Sequence, residues 1–366
     1  LTLSDNNISD ISALAGLTKL EELWLHYNNI SDISALAGLT GLDNLHLANN
    51  NISDISPLAG FVSIDSLNLT DNNISDISAL AGLTGLDNLF LANNNISDIS
   101  ALTGLTNLEV LDLGANNISN TSPLAGLTSL GYLNLYDNII ISDISALAGL
   151  VNLSELYLSA NNISDISALT DLTNLWSLNL TDNNISDISA LAGLIGLDHL
   201  HLANNNISDI SPLAGFVSID SLNLTDNNIS DISALAGLTG LDNLFLANNN
   251  ISDISALTGL TNLEALNLGG NKKISDISAL TGLAKLESLI AFGNNISDIS
   301  ALAGFSNLQG LNLSSNNISD ISPLVENSGL SAGDTVYLRD NPLSTTSIDD
   351  HVPQLEARGV AVDLVG

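Results

Sequence analysis

A 22-residue unit repeats from one end of this chain to the other, and few folds can accommodate it. Its clearest copies, Leu20 to Gly41 and Leu86 to Asn107, read L-x-x-L-x-L-x-x-N-N-I-S-D-I-S-A-L-A-G-L-T-x. One unit of this size cannot bury its own leucines. Stacked on its neighbours it contributes one coil to a continuous apolar core. The L-x-L core begins at Leu1, Leu23, Leu45, Leu67, Leu89, Leu111, Leu133, Leu156, Leu178, Leu200, Leu222, Leu244, Leu266, Leu289, Leu311 and Val336. Alternation sends its leucines inward and the residues between them outward, so each core predicts a short strand.

The asparagine column, from Asn6, Asn28, Asn50 and Asn72 to Asn316 and Asn341, falls where the chain leaves the strand. An amide both donates and accepts, so one such residue can satisfy its own turn and the neighbouring one as a structural ladder. The I-S-D-I-S-x-L-x-x-L string that follows predicts a wall of short 3₁₀ or helical turns, capped by serines such as Ser12 and Ser34 and by the aspartates from Asp10 to Asp320. Single residues are inserted at Asn138-Ile139-Ile140-Ile141 and at Asn271-Lys272-Lys273-Ile274, where a turn can absorb them without shifting strand register. The predicted fold class is an α/β solenoid: a leucine-rich repeat right-handed superhelix with a parallel β-sheet on its concave face and short turns on its convex face.

Charge excludes one class of partner. Forty Asp and Glu against six Lys and Arg give a net charge of −34, so phosphate backbones are repelled and nucleic acid is excluded. Much of that charge sits in two columns. One is the S-D-I-S aspartates. The other lies two places before the strand leucine: Glu21, Asp43, Asp65, Asp87, Glu109, Asp198, Asp220, Asp242, Glu264 and Glu287. Stacked carboxylates repel, so salt or divalent cations would relieve them, which points to a saline setting. Polar residues interrupt every apolar run, so no membrane insertion is expected. The absence of cysteine removes disulfides and thiolate chemistry.

Residues 1–324 read as the repeat array, opening in mid-repeat with an N-terminal cap missing, and residues 325–366 as a last strand and C-terminal cap. Within that cap, Ser347-Ile348-Asp349-Asp350 resembles a capping box. The helix it would open places Ile348, Val352 and Leu355 on one face, contains Pro353 and stops at Gly359. A strand-like Val360 to Leu364 follows.

The 22-residue length and the recurrent Asn-x-Ile-Ser-Asp-Ile-Ser-x-Leu string resemble the internalin-type subclass of bacterial leucine-rich repeat proteins over residues 1 to about 345. The closing stretch, Asn341 to Val360, is similar to a terminus common on leucine-rich repeat proteins of environmental bacteria. The resemblance implies a secreted or surface-exposed recognition protein whose concave face binds another macromolecule. It supplies no ligand. The helical N-terminal cap of internalins and the Ig-like domain that often follows their repeats have no counterpart in this sequence.

Packing fixes the ladder columns, so a ligand site must lie in the variable outward positions. One aromatic and histidine cluster is Trp24, His26 and Tyr27 with His46. A second is Tyr132, Tyr136, Tyr157, His199 and His201, with Trp176 at the strand edge. Phe90, Phe245 and Phe292 stand more alone. Aromatics on a rigid face anchor protein partners or sugar rings at small entropic cost, although strands also favour aromatics for packing reasons. His199 and His201 present two imidazoles on one strand, short of the ligands Zn²⁺ requires. Asp5, Asp71, Asp137, Asp182 and Asp226 could hold Ca²⁺ weakly, with solvated charge as the simpler account, and no cofactor is called for. No nucleophile, base and oxyanion donor are arranged for catalysis, so the chain reads as non-enzymatic. The Asn-Ile-Ser triplets at Asn7, Asn29 and Asn51 are sequons that arise from the repeat itself.

Residues 45–109 and 200–264 are identical, the mark of an array lengthened by copying a block. His46 and Phe90 therefore recur as His201 and Phe245, and any ligand patch they form is present twice, which suits a repetitive ligand. Two functions compete. One is a non-enzymatic adhesion or recognition module, extracellular or on the cell surface, with a protein or polysaccharide partner. The other is a structural protein that self-associates into an extracellular coat or fibre.

Overall fold

The computed structural model describes residues 1–364. The chain divides into two compact units, Leu1–Asn184 and Ile185 onward. The first unit carries β1 (Glu22–Trp24), β2 (Asn44–His46), β3 (Ser66–Asn68), β4 (Asn88–Phe90), β5 (Val110–Asp112), β6 (Tyr132–Asn134), β7 (Glu155–Tyr157) and β8 (Ser177–Asn179). These pair in parallel, in sequence order, leucine opposite leucine. The second carries β9 (His199–His201), β10 (Ser221–Asn223), β11 (Asn243–Phe245), β12 (Ala265–Asn267), β13 (Ser288–Ile290), β14 (Gly310–Asn312), β15 (Thr335–Tyr337) and β16 (Ala361–Asp363), paired in the same way. Each unit is thus the expected leucine-rich repeat solenoid. One strand assignment differs from the sequence reading: the Leu1 segment makes only an isolated bridge, Thr2 to Trp24, while the strand-like tail pairs with β15 as β16.

One coil illustrates the core. Leu23 and Leu25 enter from the strand, Ile30 and Ile33 from the turn, and Leu36, Leu39 and Leu42 from the returning wall, all at most 1% exposed. Burial of this apolar area at every step is the main stabilising term. The asparagine ladder satisfies the backbone between coils. Asn72 donates its amide to the carbonyls of Leu69 and Thr70 in its own turn and to Leu47 in the preceding coil, and its Oδ1 accepts from the Ile52 N–H at 2.9 Å.

The residue before each ladder asparagine adopts a left-handed conformation, as at Asp5, Tyr27, Asn49, Asp71, Asn93, Asp137, Asp182 and Asp226. Asn and Asp tolerate that region better than other L-residues, which gives the aspartates of this column a backbone reason to be there.

Both insertions bulge from the turn and leave register intact, with Leu133 opposite Leu156 and Leu266 opposite Leu289. Each carries a left-handed residue, Ile139 at φ 33° and Lys272 at φ 63°. Each also removes one rung. Ile141 and Ile274 no longer present their N–H groups to the next ladder residue, so the buried Oδ1 atoms of Asn161 and Asn294 have no partner.

Serine does not cap the 3₁₀ turns through its own hydroxyl. The aspartate two residues earlier accepts the serine N–H, as Asp10 does from Ser12 and Asp54 from Ser56, both at 2.8 Å. That bond, and then the serine hydroxyl, hold these carboxyls below their ordinary value of 3.8.

At the far end, Ser322–Glu326 forms α1 and Val352–Ala357 forms α2, after a wide turn over Ser347–His351. Val352 and Leu355 are buried as expected, but Ile348 is 46% exposed and does not share their face. The wide turn rotates Ile348 away, and Ser347 bonds to the preceding coil instead of capping a helix. Arg358 closes this end by donating to the carbonyls of Val325, Asn327 and Leu330.

Candidate recognition surface

The outward face of the first unit holds two aromatic groups. At its start, Trp24 and His46 occupy facing positions on β1 and β2 and stack with ring centroids 3.8 Å apart and planes 5° from parallel. His26 meets Trp24 and Tyr27 edge-on at 6.1 and 5.6 Å, and its Nδ1 lies 3.0 Å from the Ser4 hydroxyl. Burial, and then the neighbouring His26, hold the His46 imidazole below its ordinary value and so favour the neutral ring. A cavity of about 400 Å³ opens beside this group, lined by His26, Tyr27, His46, Asn49, Asn68 and Asp71.

The second group spans β5 to β8. Tyr132 and Tyr157 lie diagonally on β6 and β7 with ring centroids 5.5 Å apart, and the Tyr157 hydroxyl donates to Glu155 at 2.8 Å. Tyr136 packs against the Gly114 backbone, where a Cβ would come within 2.3 Å of the ring, so the glycine makes room for the tyrosine of the next coil. Phe292 covers Gly269 in the same manner in the second unit. Burial, and then the Asp112 carboxylate, push the Tyr132 phenol up to about 12. Trp176, immediately before β8, is 40% exposed.

His199 and His201 belong to the second unit, on β9, so the sequence grouping of these histidines with the tyrosines is divided between the two units. Burial, and then His199, lower the His201 imidazole. Phe90 and Phe245 sit half-buried at equivalent positions on β4 and β11, opposite Asp112 and Asn267, and have no ring partner among the described residues. No group of three or more His, Cys, Asp or Glu among the described residues could hold a metal ion.

Two features escaped the sequence reading. The acidic column before the strands lapses at three consecutive rungs, Gly131, Ser154 and Trp176, which carry the second aromatic group, and once more at Gln309. Asp112 is the one acid at its strand position in the first unit, with Asp363 its counterpart on β16. Asn68, Asn134, Asn179, Asn223, Asn267 and Asn312 at its position accept the N–H two residues on, and Asp112 makes the same bond to Gly114 at 3.1 Å with a carboxylate. Both were visible as breaks in a column, but only once the columns were aligned on their neighbours.

The leucine-rich repeat family, in its two-copy form, matches residues 1–38, 40–82, 84–126, 106–149, 151–193, 195–237, 239–282 and 284–326. An internalin (InlF) from Listeria monocytogenes is 41% identical, with a TM-score of 0.77 over 78% of this chain and 85% of that one. This chain is an internalin-type leucine-rich repeat protein. A leucine-rich repeat protein from Leptospira interrogans shares the same fold over 100% of the internalin-type chain and 95% of its own, with a TM-score of 0.90 at 24% identity. The functional domain of InlJ from Listeria monocytogenes, described as including a cysteine ladder, aligns at 22% identity with a TM-score of 0.72, covering 88% and 75% of the two chains. This internalin-type chain has asparagines in its ladder and no cysteine. No curated protein matches it at the level of sequence. Among the described residues no helix is long and apolar enough to cross a membrane.

Proposed function

We propose that this chain is a secreted or cell-surface recognition protein, non-enzymatic, that binds a protein partner through the outward side chains of its strands. Proteins of this repeat family are typically protein-binding modules, and the fold presents a rigid row of outward positions that packing leaves free to vary. The observation that carries the reading is the coincidence of Tyr132, Tyr136, Tyr157 and Trp176 with the lapse of the acidic column. On a chain of net charge −34, this is where large rings stand out of the carboxylate row. Such rings supply most of the energy in protein interfaces and lose little entropy on binding. A polysaccharide would use the same rings by stacking. The Trp24, His26, Tyr27 and His46 group is proposed as a second contact region. On β9 and β11, His199, His201 and Phe245 are proposed as contacts in the second unit, as Phe90 is in the first.

The coat or fibre reading draws on the identical blocks 45–109 and 200–264, since self-assembling arrays tolerate copied units. Mass by light scattering separates the two. Recognition predicts a monodisperse species at 38.0 kDa with or without Ca²⁺, whereas an open-ended size distribution favours assembly.

A further inference from the structure

We propose that Asp112, with Tyr132 and Tyr136 beside it and Tyr157 packed on Tyr132, forms a receptor for an arginine side chain of the partner protein. The proposal rests on the protein-binding reading and names the chemistry that site would recognise. Parallel register brings the residues together: Asp112 faces Asn134, Asn134 faces Tyr157, and Tyr132 stands two residues before Asn134. The Asn134 amide stands beside Asp112 in register, and the Asp112 carboxylate is among the charges that raise the Tyr132 and Tyr136 phenols. Tyr136 covers Gly114, whose N–H is the backbone partner of Asp112.

Charge then decides the occupant. Lys19 is the sole Lys or Arg in the sequence between Leu1 and Asn184, so the chain offers the half-buried Asp112 carboxylate no cation from the coils that flank it. Burial raises its carboxyl, and the bonds from Gly114 and Asn134 offset this only in part. A cation entering the site would recover that desolvation and meet the faces of the tyrosines. Arginine fits better than lysine because its planar guanidinium stacks on rings, bonds a carboxylate with two parallel N–H groups and is weakly hydrated. A divalent metal fits poorly, since no third His, Asp or Glu converges there among the described residues.

The test is an NMR titration of the whole chain at low salt with acetyl-Gly-Arg-Gly-amide, beside the same peptide carrying citrulline or lysine. Citrulline keeps the shape and removes the charge. Saturable shifts of the Tyr132 and Tyr157 ring signals are expected with the arginine peptide, with affinity about tenfold weaker for citrulline and for the Asp112→Asn chain. Asparagine makes the same backbone bond in six other strands, so Asp112→Asn should keep its melting temperature and isolate the charge. A lowering of the Asp112 carboxyl pKa on peptide addition, read by ¹³C shift, is the signature of direct pairing. Absence of binding, equal affinity for the citrulline or lysine peptide, or indifference to Asp112→Asn would overturn the site. A chain that ignores the arginine peptide yet captures partner proteins through its tyrosines loses this site and keeps the recognition reading. A chain that assembles into open-ended arrays loses the recognition reading whatever the peptide does.

Discussion

Replacing Asn72 with alanine is expected to lower stability by about 3 kcal/mol or more, because the change strips a buried turn of several hydrogen bonds at once. Three carbonyls, on Leu47, Leu69 and Thr70, lose a donor, and the Ile52 N–H loses its acceptor. Asn72 is 8% exposed, so water cannot fully replace them. The insertion at Ile139 supplies an internal control. Asn161 makes the same three amide bonds, to Leu135, Leu158 and Ser159, but its Oδ1 has no partner. Asn161→Ala should therefore cost about 1 kcal/mol less than Asn72→Ala. Urea denaturation of the two variants beside the parent checks the difference. Equal losses, or losses under about 0.5 kcal/mol, would mean that the ladder contributes less than core packing alone.

Acid and salt are expected to move the melting temperature in ways set by the aspartate turns. Asp10, Asp32, Asp54, Asp76, Asp98, Asp143, Asp165, Asp209, Asp231, Asp253, Asp276, Asp298 and Asp320 are all held below 3.8, mainly by the N–H of the serine two residues on. A carboxyl whose folded value is depressed stabilises the fold above the unfolded value, and that contribution disappears as pH falls through the folded value. Melting temperature should therefore fall progressively once the pH drops below 3.8, with one small loss for each turn. Asp112 and Asp220 act in the opposite sense, because burial raises both and protonation relieves them. They are outnumbered. At pH 7 the −34 charge opposes compactness, so NaCl should raise the melting temperature, and CaCl₂ should do so at lower concentration. A melting temperature flat from pH 5 to below pH 3, or indifferent to both salts, would show that neither turn bonds nor self-repulsion govern stability.

The scaffold was legible in the sequence because each packed column has one job and therefore one residue type. Leu23, Ile30 and Asn28 announce strand, turn and ladder, and the structure places all three accordingly. Leu1 was harder to read, since alternation cannot distinguish a paired strand from an isolated bridge. Leu1 to Leu3 makes only the Thr2–Trp24 bridge, while the strand-like tail pairs with β15 at Ala361–Asp363. Ile348 misled for a local reason: helical periodicity places it beside Val352, and the wide turn over Ser347–His351 breaks that periodicity. Part of the candidate site was also visible. The Trp24–His46 stack follows from strand register, which brings outward positions one repeat apart side by side, and the Tyr132–Tyr157 pair is the diagonal of that register across the insertion. Asp112 was hidden because its shape matches the asparagines of its column, and its meaning lies in the charge it holds among rings. The unpaired oxygens of Asn161 and Asn294 follow from insertions that the sequence showed, but only geometry revealed which bond each insertion breaks.

The most direct test of function is a comparison of the parent chain with Tyr132→Ser/Tyr157→Ser on a surface-protein array. The two rings pack outward on β6 and β7, so the double variant should unfold within about 1 kcal/mol of the parent, while core positions such as Leu133 and Leu156 are untouched. A second variant, Ser34→Ala/Ser78→Ala, alters the turn wall on the other side of the coil and serves as the control. Recognition through the strand face predicts that partner signals of the parent drop at least about tenfold in the tyrosine variant and persist in the serine variant. Signals that survive loss of both tyrosines and vanish with the serines would place recognition on the turn wall and contradict the proposed function.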